Sequence, residues 1–216
     1  MKDFEAVIFD MDGVIFDSER CVLECWKELA SKYGIEEMEK NFLACTGTTA
    51  VKTREIMMNA YGSEFPYDDF AKEASKSFHD KYDNGKLPIK PGVFELLDYL
   101  KAKGKKIALA TSTRKQTVLH QLEHAGLIDY FDEIITGDMV EKSKPDPEIY
   151  LLACEKVGTK LSDAYAIEDS YNGIRSAHAG GLKAIMIPDL LPANAEMEKL
   201  SDAILVDLKE VIAYLS

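Results

Sequence analysis

The sequence predicts an α/β fold built on a parallel, doubly wound sheet. Two observations carry that prediction: short apolar runs alternate with helix-patterned segments from residue 90 onward, and the runs end in polar residues. A third adds an inserted α-helical unit, because residues 17–88 show helical periodicity and no convincing buried strand. A chain of 216 residues has room for one substantial core with a smaller insertion, and not for two large domains. The expected division is residues 1–16 and 89–216 as the core and residues 17–88 as the insertion.

Taken in order, Ala6-Val7-Ile8-Phe9 is the first buried strand. Within the insertion, Val22, Cys25, Trp26, Leu29 and Tyr33 share one helical face, with Asp17 or Ser18 as cap and Gly34 as stop. Ile56, Met57, Ala60 and Tyr61 mark another helix, and Phe70, Ala74 and Phe78 a third. The joints around Phe16-Asp17-Ser18 and Leu87–Gly92 form a candidate hinge pair. Val93, Leu96, Leu97 and Leu100 give the next helix, stopped by Gly104, and Ile107–Ala110 the second strand. Val118, Leu119 and Leu122 mark a helix ended by Gly126, and Glu133-Ile134-Ile135 a third strand. Asp146 as N-cap, Pro147 at the first helical position and Glu148 in the first turn start a helix that ends near Gly158. Tyr165-Ala166-Ile167 is the fourth strand, Ile174–Ala179 a short helix stopped by Gly180-Gly181, and Ala184–Ile187 the fifth strand. A sixth apolar run, Ala203–Val206, precedes the final helix.

A formal net charge of −12 argues against nucleic-acid binding through a broad basic face and against adhesion to an anionic membrane. With 46% apolar and 30% charged residues and no apolar run of about 18 residues, the chain reads as a soluble globular protein. Met1–Asp10 lacks the apolar stretch of a signal peptide, which predicts a cytoplasmic location. Cys21, Cys25, Cys45 and Cys154 form no C-x-x-C pair and read as idle thiols. Nothing in the pattern demands a partner subunit, so a monomer is expected.

In an open parallel sheet, ligands bind beyond the carboxyl ends of the strands, and those ends are polar here. The first strand is followed by Asp10-Met11-Asp12-Gly13, the second by Thr111-Ser112-Thr113 and the fourth by Glu168-Asp169-Ser170, while Ser143-Lys144-Pro145 precedes the helix after the third. All four sets should converge on one end of the sheet. Asp10, Asp12, Glu168 and Asp169 then place four carboxylates in a small volume, where they would repel and raise one another's pKa values. A divalent cation resolves the conflict, and oxygen-only ligands select Mg²⁺. Thr111, Ser112 and the following N–H groups offer a cradle for phosphate oxygens, and Lys144 a neutralising charge. One carboxylate, Asp10, can attack phosphorus, while Asp12 serves as proton donor and acceptor.

Asp10-Met11-Asp12-Gly13-Val14, Thr111, Lys144-Pro145-Asp146-Pro147 and Glu168-Asp169 together resemble the four motifs of the haloacid dehalogenase superfamily, over essentially the whole chain. The resemblance implies a Rossmann-like core, with residues 17–88 as a helical cap. It also implies Mg²⁺ dependence, Asp10 as nucleophile and Asp12 as acid/base. Thr111 and Lys144 would lie on the phosphate, and Asp169 on the metal with Glu168 beside it and the Asp12 carbonyl as a further ligand. The subgroup it resembles comprises β-phosphoglucomutases and phosphatases, whose first motif is followed by Asp17-Ser18-Glu19. Dehalogenases of the superfamily lack the second Asp, so Asp12 argues against dehalogenation. The mutases carry a His in the first cap helix and an Arg in the cap's substrate loop, where this chain aligns Val22 and Ala50. The expectation is therefore a phosphatase acting on a small phosphorylated metabolite such as a sugar phosphate, with a mutase as the alternative. A phosphate-accepting receiver domain fits less well, because its phosphorylated Asp follows the third strand rather than the first. Arg20, Thr46, Gly47, Thr48, Lys52 and Arg54 are the cap residues expected to choose the substrate.

Overall fold

The computed structural model describes residues 4–46, 48, 50–83 and 85–216. Its centre is a six-stranded sheet, β1 (Ala6–Phe9), β2 (Lys106–Ala110), β3 (Glu133–Ile135), β4 (Ala164–Glu168), β5 (Lys183–Met186) and β6 (Ala203–Ile204), in the order β3-β2-β1-β4-β5-β6 with all neighbours parallel. The strands are apolar at almost every position because both faces are covered, as a parallel sheet requires. Alternation still sorts the side chains by size. Val7, Phe9, Ile107, Leu109, Tyr165 and Ile167 point into one apolar cluster with α5 (Val93–Ala102), α6 (Lys115–His124) and α10 (Leu208–Leu215). Ala6, Ile8, Ala108, Ala110, Ala164 and Ala166 face the other, where the small side chains let α7 (Glu148–Val157) and α8 (Tyr171–Ala179) approach closely.

Strand order reverses beside β1, since the chain runs from β1 out to β3 and returns to place β4 on the other side. That reversal opens a crevice at the carboxyl ends of β1 and β4. The register levels the crevice. Phe9 lies opposite Leu109 on one side and Ile167 on the other, so the next residues, Asp10, Ala110 and Glu168, emerge at one height.

Four helices fill the span between β1 and α5: α1 (Ser18–Tyr33), α2 (Met38–Cys45), α3 (Ala50–Tyr61) and α4 (Tyr67–Tyr82). They enclose an apolar cluster of their own, in which Trp26 meets Phe42 and Phe70 edge-on at 5.1 and 5.2 Å. The two connections to the sheet pair with each other: Asp17 N–H donates to Pro88 O, Lys90 N–H donates to Ile15 O, and Phe16 bridges Ile89 antiparallel.

The observed elements differ from the sequence expectation by a residue at the ends of β2, β4 and β5 and in four further places. The helix α2 was not foreseen, its eight residues being too short to show a period. The sixth run pairs only over Ala203–Ile204, leaving Val206 exposed. Helix α8 begins at Tyr171, three residues ahead of Ile174, because the Ser170 hydroxyl caps it by accepting the Gly173 N–H. Helix α7 begins at Glu148, and Asp146 still accepts the Glu148 N–H through Oδ1 at 3.1 Å. All four cysteines are free and buried. Among the described residues no helix is long and apolar enough to cross a membrane.

Candidate active site

The level strand ends meet at one ammonium group. Lys144 Nζ lies 2.6 Å from Asp10 Oδ1, 2.6 Å from Glu168 Oε1 and 2.9 Å from the Ala110 carbonyl oxygen, which occupies all three of its donors across three adjacent strands. Its side chain is only 7% exposed. Glu168 is fully buried and accepts further hydrogen bonds from Tyr150 Oη at 2.7 Å and Ser170 Oγ at 3.0 Å. Two glycines make the fit. A Cβ on Gly173 would fall 2.0 Å from the Glu168 carboxylate oxygens, and one on Gly13, whose φ is +79°, would fall 2.2 Å from Asp169 Oδ2.

Asp10, Glu168 and Asp169 are buried, and each offers a carboxylate oxygen within 4.8 Å of the others. One ammonium does not balance three such groups. Burial, opposed by Lys144 and reinforced by Glu168 and Asp12, pushes Asp10 up to about 8. Burial, then the charges of Glu168 and Asp10, raises Asp169 well above the usual carboxylate range. On Lys144, burial disfavours the charge, yet Asp10 and Glu168 outweigh it and hold the ammonium above its ordinary value. A donor set made of oxygens, short of positive charge and deeply placed, fits a hard divalent cation.

Asp12 is held differently. Its Oδ1 accepts from Ser18 Oγ and its Oδ2 from Thr113 Oγ1, each at 2.7 Å, which turns its carboxylate onto two hydroxyls rather than into the cluster. The expected gathering of four carboxylates is therefore three plus one. Ser18 and Thr113 are participants that sequence reading passed over, although both stand inside the polar runs it had marked.

The site opens into a cleft of about 420 Å³, within the size range of small-molecule pockets. Asp10, Asp12, Lys144, Asp169 and Ser112 line its floor. Thr111 is fully buried beneath it, where its Oγ1 accepts the Thr113 N–H at 3.1 Å and shapes the turn. The cap contributes Glu19, Thr46, Thr48 and Ala50. Thr48 is anchored by donating to Cys45 O at 2.7 Å, with Thr53 Oγ1 2.9 Å away. Gly47 lies outside the described residues. Arg20 pairs with Asp189 and Asp17, Lys52 with Glu55, and Arg54 with Asp68, so these three form ion pairs at the surface or beside the connections to the sheet and do not line the cleft. Glu19 and Asn172, which do, had no assigned role.

Comparison with known proteins finds relatives across nearly the whole chain. The family model for haloacid dehalogenase-like hydrolases matches residues 7–187. The phosphorylated carbohydrates phosphatase of Thermotoga maritima is 35% identical over 181 residues, covering 84% of this chain and 83% of the relative. The crystal structure of β-phosphoglucomutase from Clostridium difficile superposes with a TM-score of 0.74 at 25% identity, covering 96% of this chain and 93% of that one. A variant of CbbY from Rhodobacter sphaeroides, solved in complex with xylulose-(1,5)bisphosphate, superposes with a TM-score of 0.71 at 27% identity and covers 96% of both chains.

Proposed function

This chain belongs to the haloacid dehalogenase-like hydrolase family, and on that premise we propose that it is a Mg²⁺-dependent phosphatase of small sugar phosphates working through an aspartyl-phosphate on Asp10. The observation that carries the reading is the division of labour between two neighbouring carboxylates. Asp10 sits in the charge cluster with Lys144, Glu168 and Asp169, while Asp12 faces the same cleft from a pair of hydroxyls.

Asp10 Oδ attacks phosphorus as the bond to the leaving oxygen breaks, and Asp12 gives that oxygen its proton. Asp12 then takes a proton from the water that attacks the phosphoaspartate, which releases inorganic phosphate and restores the Asp10 carboxylate. Hydroxyls both donate and accept, so Ser18 and Thr113 hold Asp12 in position in either protonation state. Asp10 and Asp169, with Glu168 beside them and the Asp12 carbonyl, would hold Mg²⁺, which when bound supplies the positive charge that keeps Asp10 anionic and offsets the phosphate. Lys144 braces Asp10 and adds its charge to the phosphate end of the cleft. Ser112 faces the phosphate, and Thr111 fixes the turn beneath it. The sugar-phosphate assignment rests on the resemblance to the Thermotoga phosphatase.

A mutase is disfavoured by the two positions at which the mutases differ. Val22 packs against the cap's apolar cluster, and Ala50 presents only a methyl group to the cleft. The test is a panel of phosphate esters with the purified protein and Mg²⁺. Metal-dependent phosphate release, abolished by a chelator and faster than any conversion of β-glucose 1-phosphate to the 6-phosphate, is the expected result. Release from no ester on the panel overturns the assignment.

A further inference from the structure

Beneath the site lies a fully buried phenol to which the reaction above gives no role: Tyr150, in the first turn of α7. Its ring belongs to the apolar cluster in which Ala108, Ala110 and Ala166 leave room for that helix. A buried hydroxyl is costly unless it is bonded, and here the partner is a carboxylate. Tyr150 Oη donates to Glu168 Oε1 at 2.7 Å. The same oxygen receives Lys144 Nζ at 2.6 Å, and that ammonium stands 5.1 Å from the centroid of the Tyr150 ring. The other oxygen, Oε2, is served by Ser170 Oγ at 3.0 Å. Lys144 and Tyr150 belong to one short stretch of chain, which brings both donors to one carboxylate oxygen. Lys144 in turn holds Asp10 at 2.6 Å, the distance at which it holds Glu168.

From this arrangement we infer that Tyr150 is a positioning residue, whose hydroxyl keeps Lys144 shared between Glu168 and Asp10 instead of captured by Glu168. The inference rests on the phosphatase reading above and adds to it a residue that does not line the cleft. A carboxylate out of water attracts an ammonium strongly, and each further donor on the same oxygen takes up part of its charge. With the phenol in place, Oε1 carries two side-chain donors and Lys144 divides its hold evenly. Without it, Lys144 is the sole side-chain donor on that oxygen, the pair tightens, and the hold on Asp10 loosens. Two effects of opposite sign follow. Asp10 loses the brace that aims it at phosphorus, which slows the reaction. The carboxylates together are also less neutralised, so a divalent cation finds more negative charge to bind. A general loosening of the site would instead weaken both.

Tyr150→Phe is the test, because it keeps the ring, its packing and its contact with the ammonium while removing only the hydroxyl. For a phosphate ester that the wild-type protein hydrolyses, kcat should fall about tenfold with KM little changed, as for the loss of a hydrogen bond to a charged group. Mg²⁺ titrated calorimetrically into the ester-free protein should bind severalfold more tightly in the variant than in wild type. The same titrations on Glu168→Gln, with and without Tyr150→Phe, should show no such difference, since the hydroxyl acts through the charge of Glu168. A kcat within about twofold of wild type overturns the inference, as does Mg²⁺ bound equally or more weakly by Tyr150→Phe, or a gain that persists in the Glu168→Gln background. Where the wild-type protein hydrolyses no ester, a gain in Mg²⁺ affinity that depends on Glu168 upholds the role of the hydroxyl and faults the hydrolytic reading alone.

Discussion

The two walls of the cleft are built by opposite rules. On the sheet side Asp10 and Glu168 are interlocked through Lys144: Lys144 uses three donors on three strands, Glu168 has three partners, and Gly13 and Gly173 leave no space for a methyl group. On the cap side the lining residues Glu19, Thr46, Thr48 and Ala50 sit at or between the ends of helices, and the hydroxyls of Thr46 and Thr48 bond only within the cap, to Phe42 O, Cys45 O and Thr53 Oγ1. Their helices pack on a separate apolar cluster around Trp26, Phe42 and Phe70. On the proposed reading, bond-making chemistry occupies the place where strand register fixes atoms, and substrate choice the place where side chains can change without disturbing the core. If that contrast is right, perturbations on the sheet side should be large and coupled, and those on the cap side small and separable.

The largest expected effect follows from Asp10→Asn. The amide keeps the shape and the contact to Lys144 while removing the nucleophile, so kcat should fall on the order of 10⁴-fold or more, in line with the loss of other nucleophiles. Far-UV circular dichroism should be unchanged. Retained activity would break the sheet side of the comparison at its centre.

Metal and pH give the next effect. Asp10 and Asp169 hold their protons in the folded state to a higher pH than in the unfolded chain. Between about pH 4 and pH 8 the metal-free native state therefore binds more protons than the unfolded state, and the contribution of these groups to stability falls as pH rises. Mg²⁺ competes with those protons, so its stabilisation should be greater at pH 8 than at pH 5. At a concentration one hundred times its dissociation constant it should contribute about 2.7 kcal/mol. That corresponds to a rise in Tm of roughly 5–10 °C for a chain of this size. Scanning calorimetry with and without Mg²⁺ at the two pH values checks it; an equal shift at both would mean that the carboxylates are not the site of the cation.

The same contrast explains what was legible in the sequence. The strands at Ala6–Phe9 and Glu133–Ile135 were readable to the residue, because a buried parallel strand is a short apolar run with a polar end. Knowing where strands end located Asp10, Lys144, Glu168 and Asp169 together. Hydrogen bonds between side chains were not readable. Ser18 and Thr113 converge on Asp12 from positions 6 and 101 residues away, and Thr111 turns its hydroxyl to Thr113 rather than to the cleft. Spacing along the chain carries no trace of such convergence. In the cap, α2 is illegible because eight residues show barely two turns, and Arg20, expected near the substrate, is held by Asp17 and Asp189 beside the connection to the sheet.

That ion pair beside the paired connections yields the smallest expected effect and the sharpest test of separability. Arg20 is 53% exposed in its side chain, whereas Lys90, at 18%, reaches the same Asp189 oxygen. Replacing Arg20 by Met leaves Asp189 neutralised by Lys90, so urea denaturation should show a loss of at most about 1 kcal/mol, as for exposed ion pairs. The kcat for a good monophosphate substrate should stay within about twofold of wild type on the same reasoning. Lys90→Met should cost more, about 1–3 kcal/mol, because it leaves the buried Asp189, whose Oδ2 lacks a hydrogen-bond partner among the described residues, with only the exposed Arg20 as counter-charge. A large loss of activity from Arg20→Met with stability intact would show that this ion pair sets the position of the cap over Asp10, and the two walls would then be one mechanical unit rather than two.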